Sequence, residues 1–432
     1  MVEVKKIKLT ALERSWILYD IGNSAFILLV STLIPIYFND LATTGGLNES
    51  LYLSYWGYAG SVSTLLVAVI GPICGTLADH RGFKKPIFMA CMLLGVLGCA
   101  AMGVTAGWLA FLVVFVLAKV GYSSSLVFYD AMLPEVTTDE RMDTVSSMGY
   151  AYGYIGSVIP FILCLLLVLF GGKIGIGTGT AMVVSFLITA VWWFVCTQPL
   201  LKRYRQTAFV EHGGNPVSST FRRLRDTFRE VRQQKHIFLY LLAFFFFIDG
   251  VYTIIDMATA YGTALGLDTT GLLLALLLTQ FVAFPCSIAF GRFSAKYDTG
   301  LLIKICILCY TGITLFAVFL VSQWQFWVLA VLVGMFQGGI QALSRSYLGK
   351  IIPAERSGEY FGLMDICGKG ASFLGTTLIA VVSQLTDGRS FHVFGLELQN
   401  ENIAVGTLVV IFAIGFVLFC KADKLNNQYI HI

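Results

Sequence analysis

The chain has 432 residues, of which 57% are hydrophobic and only 12% charged, with a mean hydropathy of +0.79. Soluble globular chains carry roughly 25% charged residues, so this one cannot cover itself in water. Its formal charge of +4 comes from basic loops, which reads as membrane topology and anionic headgroups and not as nucleic-acid binding, with the long middle loop as the one exception.

Apolar blocks of about 20 residues recur, the length that crosses roughly 30 Å of hydrocarbon at ~1.5 Å per residue. Spans are predicted at 15–38, 53–77, 86–106, 108–130, 145–170, 176–198, 237–261, 269–290, 301–321, 324–347, 358–384 and 402–420. The fold class is therefore all-α, a polytopic membrane protein with twelve transmembrane helices. The polar, basic first 14 residues are expected to form a tail and not a cleaved signal. Of the 29 Lys and Arg, 23 fall in connections on the side of the N-terminus, two (Lys173 and Arg389) on the other and four (Lys119, Lys304, Arg345 and Lys369) inside spans. The positive-inside rule then puts both termini in the cytoplasm. All ten cysteines sit in apolar blocks, as small hydrophobes with no disulfides expected.

The one long connection, 199–236, carries nine Lys and Arg and a Gly-Gly-Asn-Pro break. It divides the chain into an N-terminal six-helix bundle (1–198), a basic cytoplasmic linker and a C-terminal six-helix bundle (237–432). Thr220 to Lys235 is expected to form a basic surface helix on anionic lipid, with a regulatory docking site as the alternative. The halves echo each other: GTLADHRGFKK from Gly75 follows span 2, and GRFSAKYDTGLLIK from Gly291 follows span 8. A second echo joins LPEVTTDERMD from Leu133 to IPAERSGEY from Ile352. Parallel repeats of this kind place a substrate site at their interface near midplane.

Ionisable residues inside spans cost at least ~2.5–3.5 kcal/mol each at a helix centre, so they face a cavity or a partner. Lys119 in span 4 and Asp249 in span 7 lie near midplane, and Asn23 and Gln337 reach comparable depth. With Gln341 and Lys369 these are the candidate substrate-binding residues. Asp249 and Asp256, seven apart, share one helical face and suggest a proton or cation path, with Asp365 as a third coupling candidate. Asp365 and Lys369, spaced i, i+4, form either a static bridge or a switch. Asp20 and Arg345 lie nearer the cytoplasmic face and are assigned to a gate, and Asp130 to loop anchoring. Gly75, Asp79, Gly82, Lys84 and Lys85 form a latch in which Gly75 permits close helix approach and the Asp79 carboxylate meets a positive helix N-terminus. Ala295 takes the aspartate's place in the second half, so the latch is expected to be asymmetric.

The segment Gly75 to Lys85 resembles the loop signature of the major facilitator superfamily, with His80 and Phe83 departing from its basic positions. WILYDIGNSAF at 16–26, FIDGVYTIIDMATAYG at 247–262 and GMFQGGIQALSRSYLGKIIP at 334–353 resemble a narrower branch, the vacuolar amino-acid effluxer-like, autophagy-associated family. FYDAMLPE at 128–135 and SFLGTTLIAVVSQLTDG at 372–388 fit the same branch, so the likeness covers nearly all spans. Asp130 and Asp365 stand where relatives carry Asn. The resemblance implies the major facilitator fold, two pseudo-symmetric six-helix bundles with spans 1, 4, 7 and 10 around a central cavity. It also implies solute export or uptake, of amino acids in eukaryotic members, while the lack of long insertions points to a prokaryotic plasma membrane.

The expected function is alternating access for a small polar solute, with Asp249 exchanging protons and Lys119 holding an anionic group. A cation-coupled sugar or glycoside carrier and a non-transporting solute sensor are the alternatives. No P-loop, HExxH or GxSxG motif appears, so the chain is read as a non-enzyme without cofactor or metal. Its expected partners are a small-molecule solute, a coupling proton or cation and the lipid bilayer, and it is expected to act as a monomer.

Overall fold

The structure, a computed structural model, describes residues 8–47, 49–211, 226–227, 229–386, 391–393, 396–398 and 400–430. The apolar blocks become helices: α1 (Ala11–Ser31), α2 (Leu33–Thr44), α3 (Glu49–Ala78), α4 (Lys84–Ala101), α5 (Trp108–Ala131), α6 (Leu133–Val136), α7 (Asp139–Phe170) and α8 (Thr178–Arg203). After the long connection come α9 (Lys235–Ala264), α10 (Thr269–Phe293), α11 (Thr299–Val318), α12 (Gln323–Ile351), α13 (Ser357–Leu385), α14 (Asn400–Gly406) and α15 (Leu408–Ile430). A small antiparallel hairpin, β1 (Phe391–Val393) with β2 (Leu396–Leu398), is a departure from the all-helical expectation.

Polar residues mark where the helices begin. Thr10 and Glu13 close a reciprocal capping box at the start of α1, and Asp268 and Asp298 accept the first free N–H groups of α10 and α11, as orphan donors at helix ends require. Between α3 and α4 the chain turns through Gly82 at φ +79°, a backbone region that glycine enters without a Cβ clash.

By length and apolarity, ten helices among the described residues can cross a bilayer, and α1 with α2, bent by 41°, makes an eleventh. The expected span 358–384 is matched in position by α13, whose side chains at 369–373 lie outside the described residues. Large apolar side chains such as Leu97, Val113, Leu163, Val191, Leu308 and Val410 are exposed, as a lipid-facing surface requires.

Two hydrophobic cores form. One runs from Trp16 to Tyr204 and the other from Val231 to Ala422, with Ala131 the only residue below 231 in the second. In the first bundle α1 packs on α7 and α8, and α4 on α5; in the second α9 packs on α13 and α15, and α10 on α12. The bundles meet through α3 against α13 and α7 against α10 and α12.

The closest approach is at two glycines. A Cβ on Gly75 would fall on the carbonyl of Gly358, and one on Gly358 on the carbonyl of Gly75. Gly362 repeats the pattern one turn on, where a Cβ would lie 3.0 Å from the Gly71 carbonyl oxygen. Small residues let helix backbones touch where lipid supplies no hydrophobic drive between them. Gly358→Val should therefore cost this conformation about 1–3 kcal/mol by overpacking, read as a lower thermal unfolding midpoint in detergent than for valine at Gly57, which has open space around it.

Candidate functional site

Between the bundles lies a cavity of about 460 Å³. Its polar walls are Asp20 and Asn23 of α1, Tyr122 and Asp130 of α5, Tyr150 and Tyr154 of α7, Tyr252 and Asp256 of α9, Gln280 of α10, Gln337, Gln341 and Arg345 of α12, and Asp365 of α13. Helices α1, α5, α9 and α12, at the positions of expected spans 1, 4, 7 and 10, supply most of the lining. The walls are buried at Asp20, Asn23, Gln337 and Arg345 but exposed at Ile27, Ser31 and Asp256. The cavity is thus closed toward the face that carries the two chain ends and opens toward the far ends of α1 and α9.

Arg345 forms the floor. Its Nε donates to Ser146 Oγ and its Nη2 to the Ser146 carbonyl, each at 2.9 Å, while Nη1 donates to Asp130 Oδ1 at 2.9 Å. The guanidinium carbon lies 4.6 Å from the Trp16 ring centroid, 5.4 Å from Tyr129 and 4.5 Å from Tyr150. A flat cation with five donors suits such a slot, since it bonds at its edge and stacks on its faces. Asp20 Oδ2 sits 3.9 Å from Nη1 and accepts from the Tyr129 hydroxyl at 3.2 Å. Every one of these partners belongs to the first bundle.

Two further contacts close the face below this floor. Asp79 Oδ1 accepts from the Gly358 N–H at 2.8 Å and Oδ2 from the Glu359 N–H at 2.9 Å. A first-bundle carboxylate thus caps the start of α13, where the helix dipole is positive. Lys84, fully buried, donates to Glu135 at 2.7 Å and to Ser357 at 2.8 Å, 3.8 Å from Asp79. Burial pushes the Asp79 carboxyl up from its ordinary 3.8 to about 7; Lys84 opposes the rise, Glu359 adds to it, and the two N–H groups oppose it.

On the opposite side of the interface the carboxylate is Asp143 of α7. It accepts from Ser346 at 2.5 Å, Thr299 at 2.7 Å and Lys350 at 2.6 Å. Beside it Thr144 donates to the Gly291 carbonyl at 2.9 Å, and a Cβ on Gly291 would lie 2.9 Å from Ser147 Cβ.

The long connection is bonded to both sides of this face. Glu135 Oε2 accepts from the Thr207 and Ala208 N–H groups at 2.6 and 3.1 Å, and Gln206 bridges the Gly82 N–H and the Ala78 carbonyl at 2.9 and 3.0 Å. Farther on, Thr227 donates to Glu359 at 2.7 Å, and Glu230 pairs with Arg356. Of the expected surface helix, 220–225 and 228 lie outside the described residues. Thr227 and Val231 are buried, while Arg229 and Arg232 are exposed, so the described part packs one face on the second bundle.

The residues singled out from sequence fall into three groups. Asn23, Gln337, Gln341, Asp256 and Asp365 line the cavity, and Asp20 and Arg345 meet at its floor. Gly75, Asp79 and Lys84 make the α3–α13 contact with Gly82 in its turn, whereas Lys85, half-buried, takes part in none of these bonds. Lys119 and Asp249 are not among the cavity's lining residues. Lys119 is half-buried with its Nζ 5.9 Å from the Phe115 ring centroid, and its charge acts on Asp256. Asp249 shares α9 with Asp256, but at its level α13 closes on the helix and the carboxyl points at Gly375 instead of open space. The Lys369 side chain lies outside the described residues. Asp143, Ser146, Glu135 and Gln280 were not singled out; Asp143 and Glu135 had a signal, the Pro-Glu-Arg echo around them, which marks a loop but does not say which acid turns inward.

A family model described as "Vacuole effluxer Atg22 like" matches residues 46–420. The uncharacterized MFS-type transporter YxiO of Bacillus subtilis is 39% identical over 416 residues, 95% of this chain and 94% of that protein. Autophagy-related protein 22-1 of Penicillium rubens is 27% identical over 271 residues, 56% of this chain and 45% of that longer protein. Among solved structures, the human organic anion transporter MFSD10 superposes with a TM-score of 0.66 at 14% identity, covering 95% of this chain and 98% of that one. The E. coli fucose:proton symporter FucP gives 0.69 at 14% identity, covering 95% and 97%. At such identities the structural likeness establishes the fold.

With its carboxyl raised from 3.8 to about 7, Asp79 binds a proton more readily in the closed face than in water. Its contribution is fully present below about pH 4 and is lost as the pH rises through 7. Wild-type thermal stability should fall across that window more steeply than that of Asp79→Asn, measured by melting in detergent from pH 4 to 8; equal slopes would contradict the burial argument.

Proposed function

The chain belongs to the vacuole effluxer Atg22-like family and is a multi-pass membrane transporter of the major facilitator type, and from that premise we propose that it carries a small amine-bearing solute, an amino acid or similar zwitterion, by proton-coupled alternating access. The observation that supports this is the polar cavity closed at one face by contacts running only between the bundles. Those contacts use groups that water can replace, so parting α3 from α13 and α7 from α10 opens the cavity to the other side. Asp20, Gly75, Asp79, Gly82, Lys84 and Arg345 then act as the gate, with Lys85 flanking it. The density of Lys and Arg on this face assigns it to the cytoplasm.

Asp20, Asp130, Asp256 and Asp365 are the described acids of the lining, against Arg345, which is already engaged. Asp256 and Asp365 therefore suit an ammonium group, and Asn23, Gln280, Gln337 and Gln341 suit a carboxylate. Lys119, outside the walls, acts through Asp256 and does not hold the anionic end itself. The cluster of Tyr122, Tyr150, Tyr154 and Tyr252 with those amides favours a sugar as the second reading.

Counterflow in proteoliposomes separates the two. Labelled amino acids should exchange against an internal pool and hexoses should not, and Asp256→Asn should raise KM about tenfold or more, as loss of a charged hydrogen bond predicts. Exchange of hexoses alone would select the sugar reading, and binding without exchange of either would refute transport of both classes.

A further inference from the structure

Asp249 and Thr253, one turn apart on α9, are both completely buried. Asp249 Oδ1 accepts the Gly375 N–H of α13 at 2.9 Å. Oδ2 and Thr253 Oγ1 make no well-formed hydrogen bond among the described residues, though the two side chains lie near enough to attract each other, and no described basic side chain forms an ion pair with the carboxyl. Resting on the transporter reading above, we propose that this is the coupling-proton site: Asp249 carries the proton as a neutral carboxylic acid, walled by Thr253 and Gly375 and separate from the solute cavity.

A carboxylate inside a membrane protein with one N–H bond and no counter-ion is costly. One added proton removes the charge and turns Oδ2 into a donor, and Thr253 Oγ1, on the same face of α9, is there to accept it. A proton on Oδ2 thus pairs the two side chains with no net charge left between them, whereas a Thr253 hydroxyl donating to the ionised carboxylate would leave the charge buried. The reaction is a plain protonation of Oδ2, with the proton taken from water and returned to it. A hard metal cation would want a shell of oxygens, and here an N–H already points at the carboxyl. Gly375 is required by the packing: a Cβ there would stand 3.1 Å from each Asp249 oxygen and against Thr253 Oγ1.

The surroundings contain little else that titrates. On α15, Phe412 packs at Gly250 and Phe247 at Gly415. On α13 the ionisable residues are Glu359, at the capped helix start, Asp365, on the cavity wall, and Lys369, whose side chain lies outside the described residues. On α9 the next acid is Asp256, two turns on. Because α9 and α13 also contribute Tyr252, Asp256 and Asp365 to the walls, water reaches Asp249 only if the two helices part, and that movement reshapes the solute site. Proton and solute are then coupled through helix packing without touching.

Infrared spectroscopy of the purified full chain tests this without any solute or flux. At pH 7 the wild type should show a protonated-carboxyl C=O stretch that is missing in Asp249→Asn, and Thr253→Val should move that band to higher wavenumber by removing its acceptor. An unchanged band in both variants overturns the proposal. So does selective stabilisation of the wild type, and not of Asp249→Asn, by NaCl over KCl, which would make the ligand sodium. Either result leaves the counterflow experiment to judge transport by itself.

Discussion

The structure depends on burying charge between two bundles that lipid alone would not hold together. Arg345, Asp79 and Asp143 each lose water on entering the interface, and each recovers hydrogen bonds from the opposite bundle. Such pairs add little net stability, because desolvation offsets most of the attraction, yet breaking one partner away while the other stays buried is expensive. An interface built this way is either fully closed or fully wetted. That all-or-none character is what a carrier needs from the face that seals its cavity.

The charges are divided unequally. The first bundle presents the carboxylates Asp79, Asp130 and Asp143 to donors of the second, Gly358 and Glu359 N–H, Arg345, Lys350, Ser346 and Thr299, while Lys84 and Thr144 of the first donate the other way, to Ser357 and the Gly291 carbonyl. Ala295 in place of a second aspartate pointed to asymmetry. The structure shows its form: across the α7–α10 contact the carboxylate comes from α7 itself, so both contacts keep the same polarity.

Span positions were legible in the sequence because the bilayer imposes one ruler on every crossing, and the α3–α13 contact because Gly75 and Asp79 have no apolar reason to be there. Depth along a helix was legible too, and it puts Asn23, Lys119, Asp249 and Gln337 near the middle. What depth does not give is azimuth against neighbours. Asp249 and Asp256 share a face by the heptad rule, yet Gly375 lets α13 cover one and leave the other open. Lys119 shows the same gap, since its height fits the cavity while its side chain lies against Phe115. Asp143 was missed for a different reason: in a loop rich in Asp, Glu and Arg, an acid that turns inward reads like its solvated neighbours.

Closure at the chain-end face and chemistry at the cavity are mechanically one system. Arg345 is both floor of the cavity and clamp on Ser146 and Asp130, and Asp130 in turn lines the wall. On the proposed reading, a solute ammonium at Asp256 and Asp365 shares one cavity with Arg345 and its partner Asp130. On that reading, occupancy of the cavity and opening of the sealed face meet at Arg345, whose bond to Asp130 crosses between the bundles.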